Sequence, residues 1–163
     1  MEFVDGEPLN STEDLVACGG IAKALAHLSQ IRNNQPGPLG GGLAYGLLWI
    51  EGDWISPKSA EDVETYFNTR QLKRHEKLNI QDQPFNLCHL DVVPRNVLKL
   101  GNGSSCLLDW ASAGFYPRFF EICALRLNNI HVNKVCSIEA LIQQEEKQAR
   151  LLEKAYYLKE KHA

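Results

Sequence analysis

The spacing of apolar residues in the first half of the chain predicts two helices. The first follows Ser11, an N-cap candidate with Asp14 three residues later. Its apolar residues at helical spacing are Leu15, Ile21, Ala24, Leu25, Leu28 and Ile31. The second helix follows Ser59, with Asp62 three residues on, and is expected to end near Leu78. Both helices should therefore bury one face against a common core.

Two more helices are predicted in the C-terminal third. Pro117 stands where a helix can begin, because proline is tolerated in the first turn. The apolar stripe that follows, expected to be core, is Phe119, Phe120, Cys123, Ala124 and Leu127. A last helix should run from Ser137 to about Lys159. The C-terminal third is thus expected to be almost wholly helical.

Three short runs between these helical halves favour β-strands, at residues 85–88, 97–100 and 106–108. The last two are separated by Gly101-Asn102-Gly103. Asn-Gly between apolar runs is a strong hairpin signal, since both residues tolerate a positive φ. The hairpin should bring Asp109 back towards Asn96.

Residues 33–58 are rich in glycine and proline and predict a long loop. A short strand pair is expected within it, at residues 45–50 and 54–55 around the turn 51–53. The run Gly40-Gly41-Gly42 follows Pro36-Gly37-Pro38 and is not flanked by a strand and a helix. We therefore interpret it as a loop near the functional site and not as a phosphate-binding cradle.

Length and composition are those of one soluble globular domain, spanning residues 1–163. The hydrophobic fraction is 44% and the charged fraction 23%, both near average. A net charge of −3 argues against a nucleic-acid-binding surface. No apolar run approaches the roughly 18 residues of a membrane helix, so no membrane association is expected.

The cysteines indicate a reducing environment. They are five, an odd number, and none lies in a Cys-x-x-Cys pair. The N-terminus has no charged-then-apolar signal segment. A cytoplasmic location is therefore expected.

Three polar residues at the ends of the predicted strands point to phosphoryl transfer. That reaction requires a carboxylate to orient the acceptor hydroxyl and hard oxygen ligands to hold Mg²⁺ on the phosphates. Asp91 and Asn96 have the spacing Asp-x-x-x-x-Asn, and Asp109 follows the third strand. The pattern predicts Asp91 as the base and the other two as oxygen ligands.

These residues lie in two motifs that resemble those of the aminoglycoside phosphotransferase and choline kinase family, and particularly its fungal members. The catalytic loop of that family is His-Gly-Asp-x-x-x-x-Asn, and its metal-binding segment is an apolar strand ending in Asp-Trp or Asp-Phe. Here they are His89-Leu90-Asp91-Val92-Val93-Pro94-Arg95-Asn96 and Leu107-Leu108-Asp109-Trp110. Residues 113–121 are also similar to the fungal members.

The resemblance implies an α+β fold, the mainly helical C-terminal lobe of the protein-kinase-like fold, with a short hairpin carrying both loops. It implies ATP and Mg²⁺ as cofactors and a small-molecule hydroxyl as acceptor. Asp91 would be catalytic, and Asn96 and Asp109 would bind Mg²⁺ and nucleotide. Loop support would come from His89, Arg95 and Glu121. For Arg95 a phosphate contact and a carboxylate pair are both open, and Glu121 is either a brace of the loop or an ordinary exposed glutamate.

Residues 1–9 resemble the hinge of the family, so Glu2 and Val4 would contact the adenine. On this interpretation the chain is truncated, and the N-terminal lobe, its phosphate-covering loop and its lysine are absent. Two functions therefore stay open, an ATP-dependent small-molecule kinase and a catalytically inactive remnant that acts as a binding module. A metal-dependent hydrolase using His89, Asp91 and Asp109 is a third alternative, but the other histidines are dispersed. The motifs specify neither the acceptor nor the oligomeric state.

Overall fold

A computed structural model describes residues 4–17, 19–49, 55–69, 76–130 and 143–160. Within these ranges the chain forms seven short strands, five α-helices and two 3-10 helices, Pro94–Asn96 and Trp110–Ser112. The strands are β1 (Glu7–Pro8), β2 (Arg32–Asn33), β3 (Gly37–Pro38), β4 (Phe85–Cys88), β5 (Val97–Lys99), β6 (Ser105–Leu107) and β7 (Gly114–Tyr116). The helices are α1 (Thr12–Ala17), α2 (Gly19–Leu28), α3 (Ala60–Thr69), α4 (Phe119–Leu127) and α5 (Gln143–Glu160). None of these helices is long and apolar enough to cross a membrane.

The first of two antiparallel sheets contains the predicted hairpin. Its strand order is β1-β5-β6, with Val97 opposite Leu107. The turn is closed by the Gly103 N–H, which donates to the Leu100 carbonyl at 2.9 Å. Beyond the paired residues the Leu108 N–H donates to the Asn96 carbonyl at 2.8 Å. The hairpin is confirmed, and it places the start of β5 beside the end of β6.

The second sheet has the order β2-β4-β7-β3. Its central strands are antiparallel, with Cys88 at the end of β4 opposite Gly114 at the start of β7. The chain leaves β4 into the loop of residues 89–96, and it enters β7 from the segment of residues 109–113. The sheet register therefore brings the two predicted functional segments to one edge.

Both predicted N-caps are confirmed. The Asp14 N–H donates to Ser11 Oγ, and the Asp62 N–H donates to Ser59 Oγ, each at 3.1 Å. At the second cap Asp62 also accepts from the Ser59 N–H at 3.0 Å, which completes a capping box. Backbone hydrogen bonds from Lys58 and Ser59 lower the pKa of the Asp62 carboxyl. These local signals are strong because each bond satisfies an otherwise unpaired N–H.

Helix α4 is the centre of the core. Residues 119–125 are all buried, so α4 packs on every side and not along one stripe. Phe120 stacks on Tyr116 with ring centroids 5.1 Å apart. The helix ends in a Schellman motif, since Asn129 has φ 58° and the Ile130 N–H donates to the Leu125 carbonyl at 2.9 Å.

Two helix predictions are wrong in detail. Ile31 does not belong to the apolar face of α2, because the helix ends at Leu28 and Ile31 is 37% exposed. The helix after Ser59 does not reach Leu78, since residues 76–80 are not helical. The side chain of Asn68 instead pairs with the Leu78 backbone, accepting from its N–H at 2.8 Å and donating to its carbonyl at 2.9 Å. The start of the last helix, at Ser137, lies outside the described residues.

The strand predicted at residues 45–50 is also wrong over its described part. Residues 46–49 form turns. Gly46 has φ 101°, and the Trp49 N–H donates to the Gly46 carbonyl at 3.0 Å. The Trp49 ring packs 5.2 Å from that of Tyr66 and 5.1 Å from that of Phe67. Burial of this indole in the aromatic core favours a turn over an extended strand. Of the partner strand only Ile55 is described, and it is not in a strand.

We predict that Gly114→Ala destabilises the fold by about 1–3 kcal/mol, because added volume in a packed site forces the backbone apart. A Cβ at Gly114 would lie 2.5 Å from the Gly37 carbonyl oxygen and 2.5 Å from the Tyr116 ring. Urea unfolding followed by circular dichroism measures the effect. Gly101→Ala is the matched control, since a Cβ there has no neighbour within 4 Å among the described residues. Equal stability of the two variants would contradict the packing argument.

Candidate functional site

The loop after β4 has an unusual backbone. Leu90 has φ 65°, in the left-handed region, at the position where the resembled family has glycine. Such a conformation costs a non-glycine residue about 1–3 kcal/mol. The Leu90 side chain is 1% exposed and lies in the core, and its burial contributes a comparable stabilisation of about 1.5–3 kcal/mol. Leucine can therefore hold this loop conformation in place of glycine.

Glu121 contacts the loop backbone directly. From α4, its Oε2 accepts the N–H of His89 at 2.5 Å and that of Leu90 at 3.2 Å. The alternative of an ordinary exposed glutamate is wrong, because Glu121 is only 6% exposed. Burial raises the pKa of its carboxyl to about 7, against the opposing effect of the two N–H bonds. One side chain thus ties the loop to the central helix.

His89 joins the two predicted functional segments. Its Nε2 lies 2.9 Å from the Leu108 carbonyl oxygen, and its Nδ1 accepts from the Asp91 N–H at 3.3 Å. Because a carbonyl oxygen only accepts, Nε2 carries the hydrogen; because Nδ1 accepts the Asp91 N–H, Nδ1 carries none, and the ring is neutral. Burial lowers the pKa of the imidazole, which agrees with this tautomer. The ring also packs edge-on against Trp110, with centroids 4.7 Å apart.

Asp91 receives hydrogen bonds from two side chains of the same loop. Asn96 Nδ2 donates to Asp91 Oδ2 at 2.7 Å and to the Asp91 carbonyl at 3.0 Å. Arg95 Nη2 donates to the two carboxylate oxygens at 3.0 and 3.2 Å. The Arg95 side chain is 71% exposed, whereas that of Asp91 is 21% exposed. Of the two alternatives for Arg95, the carboxylate pair is the contact present.

Asp109 ends the β6 segment on the other side of His89. It has φ 57° and ψ 76°, and its exposed carboxylate accepts from the Ala111 N–H at 3.4 Å. The Leu108 N–H, one residue earlier, is bonded to the Asn96 carbonyl. Burial lowers the pKa of His89, and the charges of Asp91 and Asp109 oppose this shift. The hairpin and His89 together bring the three predicted residues to one end of the sheet.

The donor set fits magnesium. Asn96 uses its amide nitrogen on Asp91, which directs its amide oxygen away from that carboxylate. Asp109 supplies an exposed carboxylate, and Mg²⁺ bound to a nucleotide typically takes one or two protein oxygens besides phosphates and waters. Among the described residues no group of three or more His, Cys, Asp and Glu side chains could hold a metal ion. A site that includes an asparagine and phosphate oxygens does not require such a group.

Of the two predicted hinge residues, the structure describes only Val4. Glu2 lies outside the described residues, and Val4 is half-buried just before β1. Strand β1 pairs with β5, with Glu7 opposite Lys99. The N-terminal segment therefore lies beside the hairpin strand that follows Asn96.

Ser112 is a site residue that the sequence argument missed. It is 8% exposed, and its Oγ donates to the His89 carbonyl at 3.1 Å. This bond is a second link between the segment after Asp109 and the loop of residues 89–96. A small polar residue three positions after the aspartate was the available signal, but serine is too common in turns for that spacing to be specific.

We predict that Glu121 gives the protein a pH-dependent stability. Its pKa of about 7 in the folded state exceeds the ordinary value of 4.5, so the folded state binds the proton more tightly. The stabilisation is present below about pH 4.5 and is lost as the pH rises through 7, in total about 3 kcal/mol. Glu121→Gln should lack this slope in urea unfolding between pH 4.5 and 8, whereas the exposed Glu7→Gln should keep it. Parallel profiles for wild type and Glu121→Gln would refute the assignment.

Comparison with known proteins agrees with the motifs. Residues 1–153 match the model of the phosphotransferase enzyme family. No curated protein and no solved structure matches the chain significantly. The family match confirms the expected relation to the aminoglycoside phosphotransferases and choline kinases and suggests small-molecule kinase-type activity. Since it covers most of the sequence, the chain belongs to the phosphotransferase enzyme family.

Proposed function

We propose that the protein transfers the γ-phosphoryl group of ATP to a hydroxyl group of a small molecule. The observation that supports this most strongly is the 2.7 Å bond between the Asn96 amide and the Asp91 carboxylate. This bond holds the two polar residues of the loop in a fixed relation, at the end of the hairpin where Asp109 also lies. Phosphoryl transfer depends mainly on such positioning and on electrostatic stabilisation.

Asp91 is the group that receives the acceptor hydroxyl in this proposal. As the acceptor oxygen forms its bond to the γ-phosphorus, the bond from that phosphorus to the bridging oxygen of ADP breaks. The hydroxyl proton passes to the Asp91 carboxylate, and ADP leaves. Arg95 and Asn96 donate to the carboxylate and fix its orientation towards the acceptor.

The oxygens of Asn96 and Asp109 would hold Mg²⁺ on the nucleotide. When bound, Mg²⁺ supplies positive charge that offsets the charge of the phosphates. The left-handed backbone at Asp109 and the Ala111 N–H on its carboxylate orient this side chain before any ligand arrives. Val4, and Glu2 before it, would contact the adenine from the hinge.

The remaining residues act by positioning. Glu121 holds the loop backbone, His89 fixes the distance between the loop and Leu108, and Ser112 adds a second link. Every one of these contacts is buried or partly buried, so water does not compete freely for the donors and acceptors. The loop is therefore preorganised by the core.

We predict that Asp91→Asn lowers the rate of phosphoryl transfer by about 10²–10⁴-fold, because the amide cannot accept the hydroxyl proton. Transfer from γ-labelled ATP to a panel of sugars, amino alcohols and aryl glycosides measures this rate. Asp82→Asn is the matched control, since Asp82 is exposed in a turn before β4. ATP binding, measured separately by calorimetry, should persist in both variants.

Two outcomes would contradict the proposal. Full turnover in Asp91→Asn would refute the assignment of Asp91 as the base. Binding of nucleotide by the wild-type chain without transfer to any member of the panel would instead favour the alternative, an inactive binding module.

A further inference from the structure

The loop of residues 38–46, here called the triglycine loop, is fixed at its first end to the segment after Asp109. The Leu39 N–H donates to the Ala113 carbonyl at 2.8 Å. Just before it, β3 pairs with β7, with Pro38 opposite Gly114. The start of the loop is therefore held four residues from the proposed metal ligand.

The other end of the loop touches the same segment. A Cβ at Gly46 would lie 2.6 Å from the Ser112 Cβ, so only glycine permits this approach. Ser112 in turn donates to the His89 carbonyl. Both ends of the triglycine loop thus rest on residues 112–113, which lie between Asp109 and β7.

Between these ends the loop is open. Gly40, Gly41 and Gly42 have φ values of 78°, 79° and 91°, and a Cβ at any of them would have no neighbour within 4 Å among the described residues. Leu39 is 45% exposed and Tyr45 is 51% exposed. These two are among only four large hydrophobic side chains that are exposed in the described part of the chain. An aliphatic and an aromatic surface therefore flank a strip of bare backbone.

The loop also carries no charge. Residues 37–50 contain no Asp, Glu, Lys, Arg or His. The loop itself therefore supplies neither the carboxylates that would bind the ammonium groups of an acceptor nor the cationic side chains that would bind an anion. An aromatic face and an aliphatic side chain instead suit an apolar ring, which gains from packing on them.

We infer that the triglycine loop is the acceptor subsite and that its acceptor is an uncharged hydroxyl compound with an apolar or aromatic face. Leu39 and Tyr45 contact that face, and the glycines allow the acceptor to approach the backbone closely. The inference rests on the proposed function, because it places the acceptor beside Asp91 and Asp109. It assigns specificity to the loop and not to the catalytic motifs.

The test uses two matched probes, phenyl β-D-glucopyranoside and methyl β-D-glucopyranoside, which share the sugar hydroxyls and differ in the aromatic ring. Binding to the full chain with ADP and Mg²⁺ is measured by ligand-observed NMR titration. We expect the phenyl glucoside to bind about five-fold more tightly, a typical contribution of one aromatic contact. Tyr45→Ala and Leu39→Ala should each remove most of this difference, whereas Tyr157→Ala should not, since Tyr157 is 55% exposed on α5.

The outcomes separate the two proposals. Equal binding of the two glucosides, or tighter binding of the tricationic or tetracationic amino sugar neamine, would overturn the acceptor assignment. Loss of the preference in Tyr157→Ala but not in Tyr45→Ala would overturn it as well. Calorimetry of ATP with Mg²⁺ reports the proposed function independently, and Tyr45→Ala should leave it unchanged. Intact nucleotide binding without any glucoside preference would therefore reject the subsite alone.

Discussion

The carboxylate of Glu121 is the contact on which the rest of the site depends. It reaches from the most buried helix to the N–H groups of His89 and Leu90, where the backbone turns through a left-handed conformation. Without this acceptor, two buried N–H groups would lack a partner, which costs about 1–3 kcal/mol each. The core is therefore used to stabilise one particular loop conformation.

The positions of the other site residues follow from the contact between Glu121 and the loop backbone. The fixed backbone at His89 sets the position of its ring, and the ring bonds to the carbonyl just before Asp109. The same loop carries Asp91 and Asn96, and the Asn96 amide donates to the Asp91 carboxylate at 2.7 Å. The candidate catalytic and metal-binding residues, which follow separate strands, are thus linked by buried and partly buried hydrogen bonds, and Arg95 adds an exposed pair with Asp91.

Sequence reasoning succeeded where the signal was local. The serine caps at Ser11 and Ser59 and the hairpin turn 101–103 are each determined by a few neighbouring residues, and the structure has all three. It failed where a contact between residues far apart in sequence determines the local structure. Trp49 packs against α3 and bends a run that looked extended, and the Asn68 side chain takes up the Leu78 backbone where a helix was expected. The Ser112 link and the attachment of the triglycine loop were equally invisible, because they join residues far apart in sequence.

The central claim is that Asn96 and Asp109 hold Mg²⁺-bound nucleotide at the end of the hairpin. Calorimetric titration of the purified chain with ATP, with and without Mg²⁺, tests it most directly when repeated on Asp109→Asn. The account predicts saturable binding that requires Mg²⁺ in the wild-type chain, and a loss of that Mg²⁺ dependence in a variant that still shows the wild-type unfolding temperature. Nucleotide affinity that is the same with and without Mg²⁺, or that is unaltered in folded Asp109→Asn, would contradict the assignment of the site.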